Sequence, residues 1–365
     1  MIKGRRRVNL NLELRVRVAR PRPVRVTDGR RIAIAGIAGP WGTELARRLA
    51  REPSVEQIFG IDIRPPAADL ERTEMIEVDV RSPVLSRLLP STGVDTVVHC
   101  GIVWYPEPGK PARALHDINV IGTLQLLAAC EKTPELERVV VRGSAAIYGC
   151  EPAAPSFFTE EMGRSFPLRT RFQRDIGELE AYFENFARRH PHLTCCMLRY
   201  QPELGIDVET PLSRYLSLPV VPTQLGYDPR LQMLHTEDAT AALLAATLDP
   251  VRGAVNVAPS GSVSLSRVLR LLGRVEMPIP HPLFGPALAR GGERLGVGTL
   301  YGDAVRLLRF GRGVDNRRLR EDLGYEPRWD AVETVRDFGA RRAGLRVAPM
   351  PTIGAALGRI VGEPR

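Results

Sequence analysis

RRIAIAGIAGPWGTELARRLA, residues Arg30–Ala50, decides the fold. Ile32, Ala33, Ile34 and Ala35 make a short apolar run that reads as a buried strand. Gly36, Gly39 and Gly42 follow at once, and TELARRLA then carries apolar residues at helical spacing. A strand, a three-glycine turn and a helix in this order each need their glycines for a different reason. The first allows a tight turn, the second lets backbone approach a pyrophosphate, and the third lets helix and strand pack closely. Amides at the helix N-terminus and the helix dipole favour an anion there. Pro40 has no N–H and removes one donor from the loop. Trp41 belongs to the same cofactor loop and is read as packing more than as a ligand.

Working outward, QIFGID ends in Asp62, 20 residues after Gly42. An acid at the end of the second strand is placed to accept hydrogen bonds from a ribose hydroxyl pair and to repel a 2′-phosphate. Ile63 follows it, and Arg64 stands ready to pair with such a phosphate. NAD is therefore expected over NADP, with an ordinary surface arginine as the plain reading of Arg64.

EMIEVDV and DTVVHCG read as a third and a fourth strand, Pro111–Cys130 as a long helix, and RVVVRGS as another strand. A helix over Phe172–Arg189 and a strand, LTCCMLR, continue the alternation. The pattern predicts an α/β fold, a Rossmann-type doubly wound parallel sheet covered on both faces. Shorter helical patterns (TEDATAALLAATL, SLSRVLRLL, NRRLREDLG) then alternate with Pro- and Gly-rich connections and predict a small mixed C-terminal lobe. The expected division is a basic arm over 1–30, a dinucleotide-binding domain over 31–205, a smaller lobe over 206–340 interleaved with it, and an extension over 341–365.

The chain has 365 residues, 44% of them hydrophobic and 25% charged, which excludes wholesale disorder. Its net charge of +9 resides entirely in residues 1–31, which hold Lys3 and ten arginines against Glu13 and Asp28. Val8, Leu10, Leu12, Leu14, Val16 and Val18 alternate with polar residues there and read as one strand, broken by Pro21 and Pro23. The body is neutral, so nucleic acid is not an expected partner, and attraction of the arm to an acidic surface remains an alternative. No apolar run reaches the ~18 residues of a membrane span, and the N-terminus lacks the apolar core of a secretory signal. Five scattered cysteines, Cys100, Cys130, Cys150, Cys195 and Cys196, fit neither a disulfide framework nor a metal site and suggest the cytoplasm.

Ordered motifs extend the picture: Asp79-Val80 after the third strand, HCGI at His99–Ile102, NVIGT at Asn119–Thr123, SAAIYG at Ser144–Gly149, LHTEDA at Leu234–Ala239 and LGYEP at Leu323–Pro327. With the glycine turn they resemble the extended short-chain dehydrogenase/reductases, the NAD-dependent epimerase/dehydratase family. The likeness covers roughly Arg31 to Asp337 and is greatest to the actinobacterial UDP-glucose 4-epimerase-like branch. The resemblance implies cofactor contacts from Gly36, Gly39, Trp41, Gly42, Asp62, Ile63, Arg64, Asp79, Val80, Cys100, Gly101 and Ile102, and a backbone anchor in Asn119. It also implies a nucleotide-sugar ligand, for whose diphosphate Arg230 is the candidate, and a homodimer through the Pro111–Cys130 and Phe172–Arg189 helices. His99, Tyr148, His235 and Asp238 read as core or capping residues rather than as acids and bases.

The family's chemistry uses a serine with a Tyr-x-x-x-Lys pair on the next helix. Ser144 is present. Phe172 and Ile176 fall at the Tyr and Lys positions when FQRDIGELEAYF is aligned through Glu180. The only lysines are Lys3, Lys110 and Lys132, so no such pair exists after Ser144. Tyr182 is followed four residues on by Phe186. Pro202 and Ile206 replace the Asn and Pro of the family's LRxxNxxGP segment. Two functions are therefore expected. One is a dinucleotide-binding protein without the usual catalysis, a sensor, scaffold or partner-binding subunit. The other is a slow oxidoreductase or epimerase with a relocated acid, Ser144 acting with Asp175 or Arg174.

Overall fold

The computed structural model describes residues 29–104, 112–288 and 302–344. The basic arm and the extension beyond Gly344 lie outside the described residues. Seven strands form the main sheet: β1 (Arg30–Ala35), β2 (Val55–Asp62), β3 (Thr73–Glu77), β4 (Thr96–His99), β5 (Arg138–Ser144), β6 (Thr194–Tyr200) and β7 (Gly253–Val257). All neighbours are parallel, in the order β7-β6-β5-β4-β1-β2-β3. Parallel pairing demands long crossovers, which cover both faces, and that is why Val139, Val140 and Val141 of β5 form an unbroken apolar run. The chain lays down β1, β2 and β3 in one direction, then returns to place β4 on the other side of β1. The order therefore reverses between β1 and β4, and the crevice beyond their carboxyl ends is the place where this fold holds ligands.

Helix α1 (Pro40–Leu49) follows β1. After β4, one helical stretch is α-helical over Ala112–His116, π-wound over Asp117–Ile121 and α-helical again over Gly122–Cys130, which we term α2. Helix α3 (Arg171–Arg189) starts at a capping box: Thr170 Oγ1 accepts from the Gln173 amide and Gln173 Oε1 accepts from the Thr170 amide, both at 3.1 Å. Helix α4 spans Thr236–Leu248. One face of the sheet packs Ile32, Ile34 and Val140 against Leu45, Leu49 and Ala242 of α1 and α4. The other packs Ala33, Val97 and Val139 against Leu126 of α2 and Ile176 and Phe183 of α3.

The C-terminal third contributes both to the main sheet and to a cluster of its own. β7 and α4, which a division at residue 205 assigns to a small lobe, complete the main sheet and cover its second face. A third apolar cluster, including Tyr215, Leu231, Phe284 and Phe338, is the core of what remains. Among the described residues no helix is long and apolar enough to cross a membrane, and no group of His, Cys, Asp and Glu is arranged to hold a metal ion.

Candidate functional site

The glycine turn sits at the switch point. Gly36 has φ +82°, and a Cβ added to it would lie 2.5 Å from the Gly101 Cα, so the turn after β1 and the segment after β4 touch backbone to backbone. A Cβ on Gly42 would lie 2.4 Å from the Gly36 carbonyl oxygen, which fixes the close approach of α1. Gly39 differs. Its φ is −74°, and an added Cβ would meet only the Gly36 oxygen, at 3.4 Å. Neither backbone nor packing requires glycine there, so the open face is left for something outside the chain. Gly39 is also the N-cap of α1 with no side-chain cap, leaving first-turn amides without intrahelical partners.

Asp62 closes the turn from β2. Its carboxylate accepts from the Ala38 amide at 3.1 Å and the Ile63 amide at 2.8 Å. The side chains of Ile63 and Arg64 are exposed beside it. Asp79 does not present a free carboxylate: Arg81 donates to it through Nε at 2.9 Å, and that bond holds the Asp79 carboxyl below its usual range. Val80 lies against the opening of α2, where a Cβ on Gly122 would come within 2.8 Å of its Cγ1.

The segment after β4 is held rigidly. Asn119, fully buried in the π-wound turn, accepts from the Val103 amide at 2.8 Å and donates to the Val103 carbonyl at 2.9 Å. The irregular turn positions this one side chain, a common use of π-windings. Thr123 Oγ1 donates to the Asn119 carbonyl at 2.5 Å, so His99 must donate to Thr123 through Nε2, at 3.0 Å, and accept from the Gly101 amide through Nδ1, at 3.3 Å. Burial pushes the His99 imidazole down to about 4, so it is a neutral packing group. Cys100 and Ile102 are buried, and burial raises the Cys100 thiol to about 12.

On the far side of the crevice an arginine is caged. Arg142 of β5 is 2% exposed. Its guanidinium carbon lies 4.3 Å from the ring centroid of Trp41, 4.7 Å from that of Trp104 and 4.8 Å from that of Tyr200. Glu203 supplies the counter-charge through a buried ion pair. Burial pushes the Glu203 carboxyl up, and Arg142 pulls it part of the way back. A desolvated cation–π contact is worth about 2 kcal/mol, so the cage is a firm arrangement. Arg142 Nε and Trp104 Nε1 have no hydrogen-bond partner among the described residues. None of this was singled out in the sequence except Trp41. The available signal was Arg142 itself, a charge inside the RVVVRGS strand, which a doubly covered sheet tolerates only when paired.

Residues 32–211 match the NAD dependent epimerase/dehydratase family. An uncharacterized protein of Mycobacterium tuberculosis is 33% identical over 336 residues, 91% of this chain and 89% of the relative. The chain belongs to the NAD-dependent epimerase/dehydratase family. Solved structures share the fold at lower identity. A dTDP-glucose 4,6-dehydratase from Bacillus anthracis in complex with NAD superposes with a TM-score of 0.65 at 13% identity, over 87% of this chain and 98% of that one. A UDP-glucose 4-epimerase from Thermotoga maritima with UDP-glucose gives 0.64 at 18% identity, over 87% and 100%.

The other residues singled out in the sequence are engaged within the fold. Ser144 ends β5 and is spent locally, its Oγ accepting from the Ala146 amide at 3.2 Å. Phe172 is half-buried with its ring 6.3 Å from that of Trp104. Ile176 is fully buried in the apolar layer between α3 and the sheet. Tyr148 is packed on Phe158 at 4.8 Å, donates to Asn256 at 2.8 Å and accepts from Arg199 at 2.9 Å, and burial raises its phenol to about 12. The half-buried Tyr182 donates to Glu178 at 2.9 Å. Arg230 is exposed and bonds Ser262 at 3.2 Å. His235 caps α4 and lies 3.2 Å from Asp337, while Asp238 accepts from Tyr325 and from the Arg328 and Trp329 amides. Asp175, buried on α3, pairs with His116 at 2.9 Å.

The fit of a dinucleotide is therefore uneven. The open Gly39 face, the uncapped helix and Asp62 suit an adenosine diphosphate. Beyond them, the Arg142 guanidinium lies among the rings of Trp41, Trp104 and Tyr200.

Proposed function

We propose that this chain binds a nucleotide of the NAD class at the glycine turn, NAD in preference to NADP, and does not carry out the proton transfer of its family. Its role is that of a sensor, scaffold or partner-binding subunit. The observation that carries the reading is the contrast between the two ends of one crevice. Gly39 is left open beside an uncapped helix and the Asp62 carboxylate, whereas the family's Lys position is Ile176, 0% exposed in the apolar layer. A phenolate needs a cation or another stabilising group nearby to form near neutral pH, and none follows from this chain at that spacing. Calorimetry with NAD and NADP, paired with a turnover assay on UDP- and dTDP-sugars, tests it. NAD binding without measurable turnover is the expected result, and fast epimerisation overturns it. A homodimer belongs to the proposal through the family resemblance, and a nucleotide-sugar ligand is supported by proteins of this fold solved with UDP-glucuronic acid and with UDP-glucose.

One pair of residues favours a second reading, a slow oxidoreductase or epimerase with a relocated acid/base. Asp175, one turn after Phe172 on α3, holds His116 through Nδ1 at 2.9 Å. An imidazole oriented in this way is the arrangement a general base requires. Its readout is turnover that falls ~10²- to 10⁴-fold in His116→Gln.

A further inference from the structure

We propose that the site takes an adenosine 5′-diphosphate derivative that carries no nicotinamide ring, with ADP-ribose as the reference ligand, because the ring's half of the crevice is filled by Arg142 and its aromatic cage. The inference rests on the nucleotide reading above for its pyrophosphate position and narrows the ligand.

The argument follows the sheet. A pyrophosphate on the glycine turn lies at the β1–β4 switch point, and Asp62 on β2 marks the adenosine side. The remainder of a dinucleotide must then cross the carboxyl ends of β4 and β5. Three elements meet on that ground. Trp41 comes from the turn, Trp104 from the segment after β4, and Arg142 from β5 two residues before Ser144. The guanidinium lies 4.3 Å and 4.7 Å from the two indole centroids and is closed off by Tyr200 at 4.8 Å.

The cage is anchored on every side. Glu203 holds Arg142 in place, and moving the arginine out would leave that buried carboxylate alone. Trp104 leans on Phe172 and follows directly on Val103, which Asn119 clamps at 2.8 Å and 2.9 Å. The oxidised nicotinamide ring is cationic, and the indole faces that would stack it already hold a cation. Arg142 Nε and Trp104 Nε1 are themselves buried and have no hydrogen-bond partner among the described residues, so the cage presents no accessible polar edge to a nicotinamide carboxamide. The chain has in effect put its own guanidinium in the place of the redox group, which agrees with the absence of any lysine after Lys132.

The test is calorimetry on the full chain with ADP, ADP-ribose and NAD, together with NADH fluorescence. Kd values for ADP-ribose and NAD within about threefold of each other, and NADH emission unchanged from free solution, are expected if the ring makes no contact. NAD binding tenfold or more tighter than ADP-ribose, about 1.4 kcal/mol contributed by the ring, overturns the inference and leaves the nucleotide reading standing. No binding of any of the three removes both. Trp104→Ala, which opens one wall, should shift the affinity ratio toward NAD, and an unchanged ratio in the folded variant counts against the cage. The wild-type comparison decides the matter even if that variant fails to fold.

Discussion

Asn119 grips the Val103 peptide at both ends, accepting from its amide at 2.8 Å and donating to its carbonyl at 2.9 Å. The segment that reaches Trp104 is thus fixed by one side chain on a π-wound turn. Asn119→Leu has similar bulk but satisfies neither group. A buried backbone group left without a partner costs about 1–3 kcal/mol, and the two Val103 groups are part-buried, so urea denaturation should show a loss toward the lower end of about 2–6 kcal/mol. A loss below 1 kcal/mol would mean that the segment finds other partners.

Gly36 and Gly39 should separate scaffold from ligand. Gly36→Ala forces a side chain into Gly101 at φ +82° and should cost on the order of 3 kcal/mol of stability. Gly39→Ala meets only an ordinary contact and should cost less than about 1 kcal/mol, while calorimetry should show nucleotide affinity reduced. Equal effects of the two on stability would contradict the reading of Gly39 as open ground.

Asp62 should set the preference between dinucleotides. Its carboxylate faces the turn through the Ala38 and Ile63 amides, so a 2′-phosphate brought there meets a negative charge. Asp62→Ala should narrow the gap between NAD and NADP in a titration of both, and Arg64→Ala should leave NAD affinity nearly unchanged. Equal wild-type affinities would sink this assignment.

Placing a Tyr-x-x-x-Lys pair at the positions proposed for it, by Phe172→Tyr with Ile176→Lys, should not create epimerase activity. Ile176 is 0% exposed, so an ammonium there is desolvated and its pKa driven down, and it gives a poor charge to a neighbouring phenol. Denaturant titration should show the double variant less stable than wild type by about 3 kcal/mol or more. A stable variant that epimerises UDP-glucose would show that the crevice is open after all.

His99 predicts an acid limit to stability. Its imidazole is held at about 4 against a reference of 6.5, so the unfolded chain binds the proton first. The stabilising difference is fully present above pH ~6.5 and is lost as pH falls toward ~4, amounting to about 3 kcal/mol. Buried carboxyls raised by burial, such as Glu180 and Glu203, slope the opposite way at the acid end. The signal is therefore the difference between wild type and His99→Gln, whose pH profile should be flatter between those limits.

The sheet was legible because its inner strands are apolar runs and three glycines mark the turn after β1. Asp62 could be placed by its spacing from the glycine turn and Asn119 only through the resemblance to the family; Asp62 accepts from the Ala38 amide, and Asn119 holds Val103. The cage could not, because Trp41, Trp104, Arg142 and Glu203 are far apart in sequence and meet only when β1, β4 and β5 are adjacent. β7 was hidden for a related reason. GAVNV is short and glycine-led, and only pairing with β6 identifies it as part of the main sheet. The His116–Asp175 pair likewise spans two helices and leaves no local pattern.

The late arrival of β7 has a consequence during synthesis. β6 ends at Tyr200, and its outer partner begins only at Gly253. At ~5–20 residues per second, that interval leaves the edge of β6 open for several seconds on the ribosome. An apolar strand edge in that state is a template for pairing with other chains, and it carries the thiols of Cys195 and Cys196, which are buried once folding is complete. The nascent chain therefore passes through a window of aggregation and oxidation risk that the finished protein does not have.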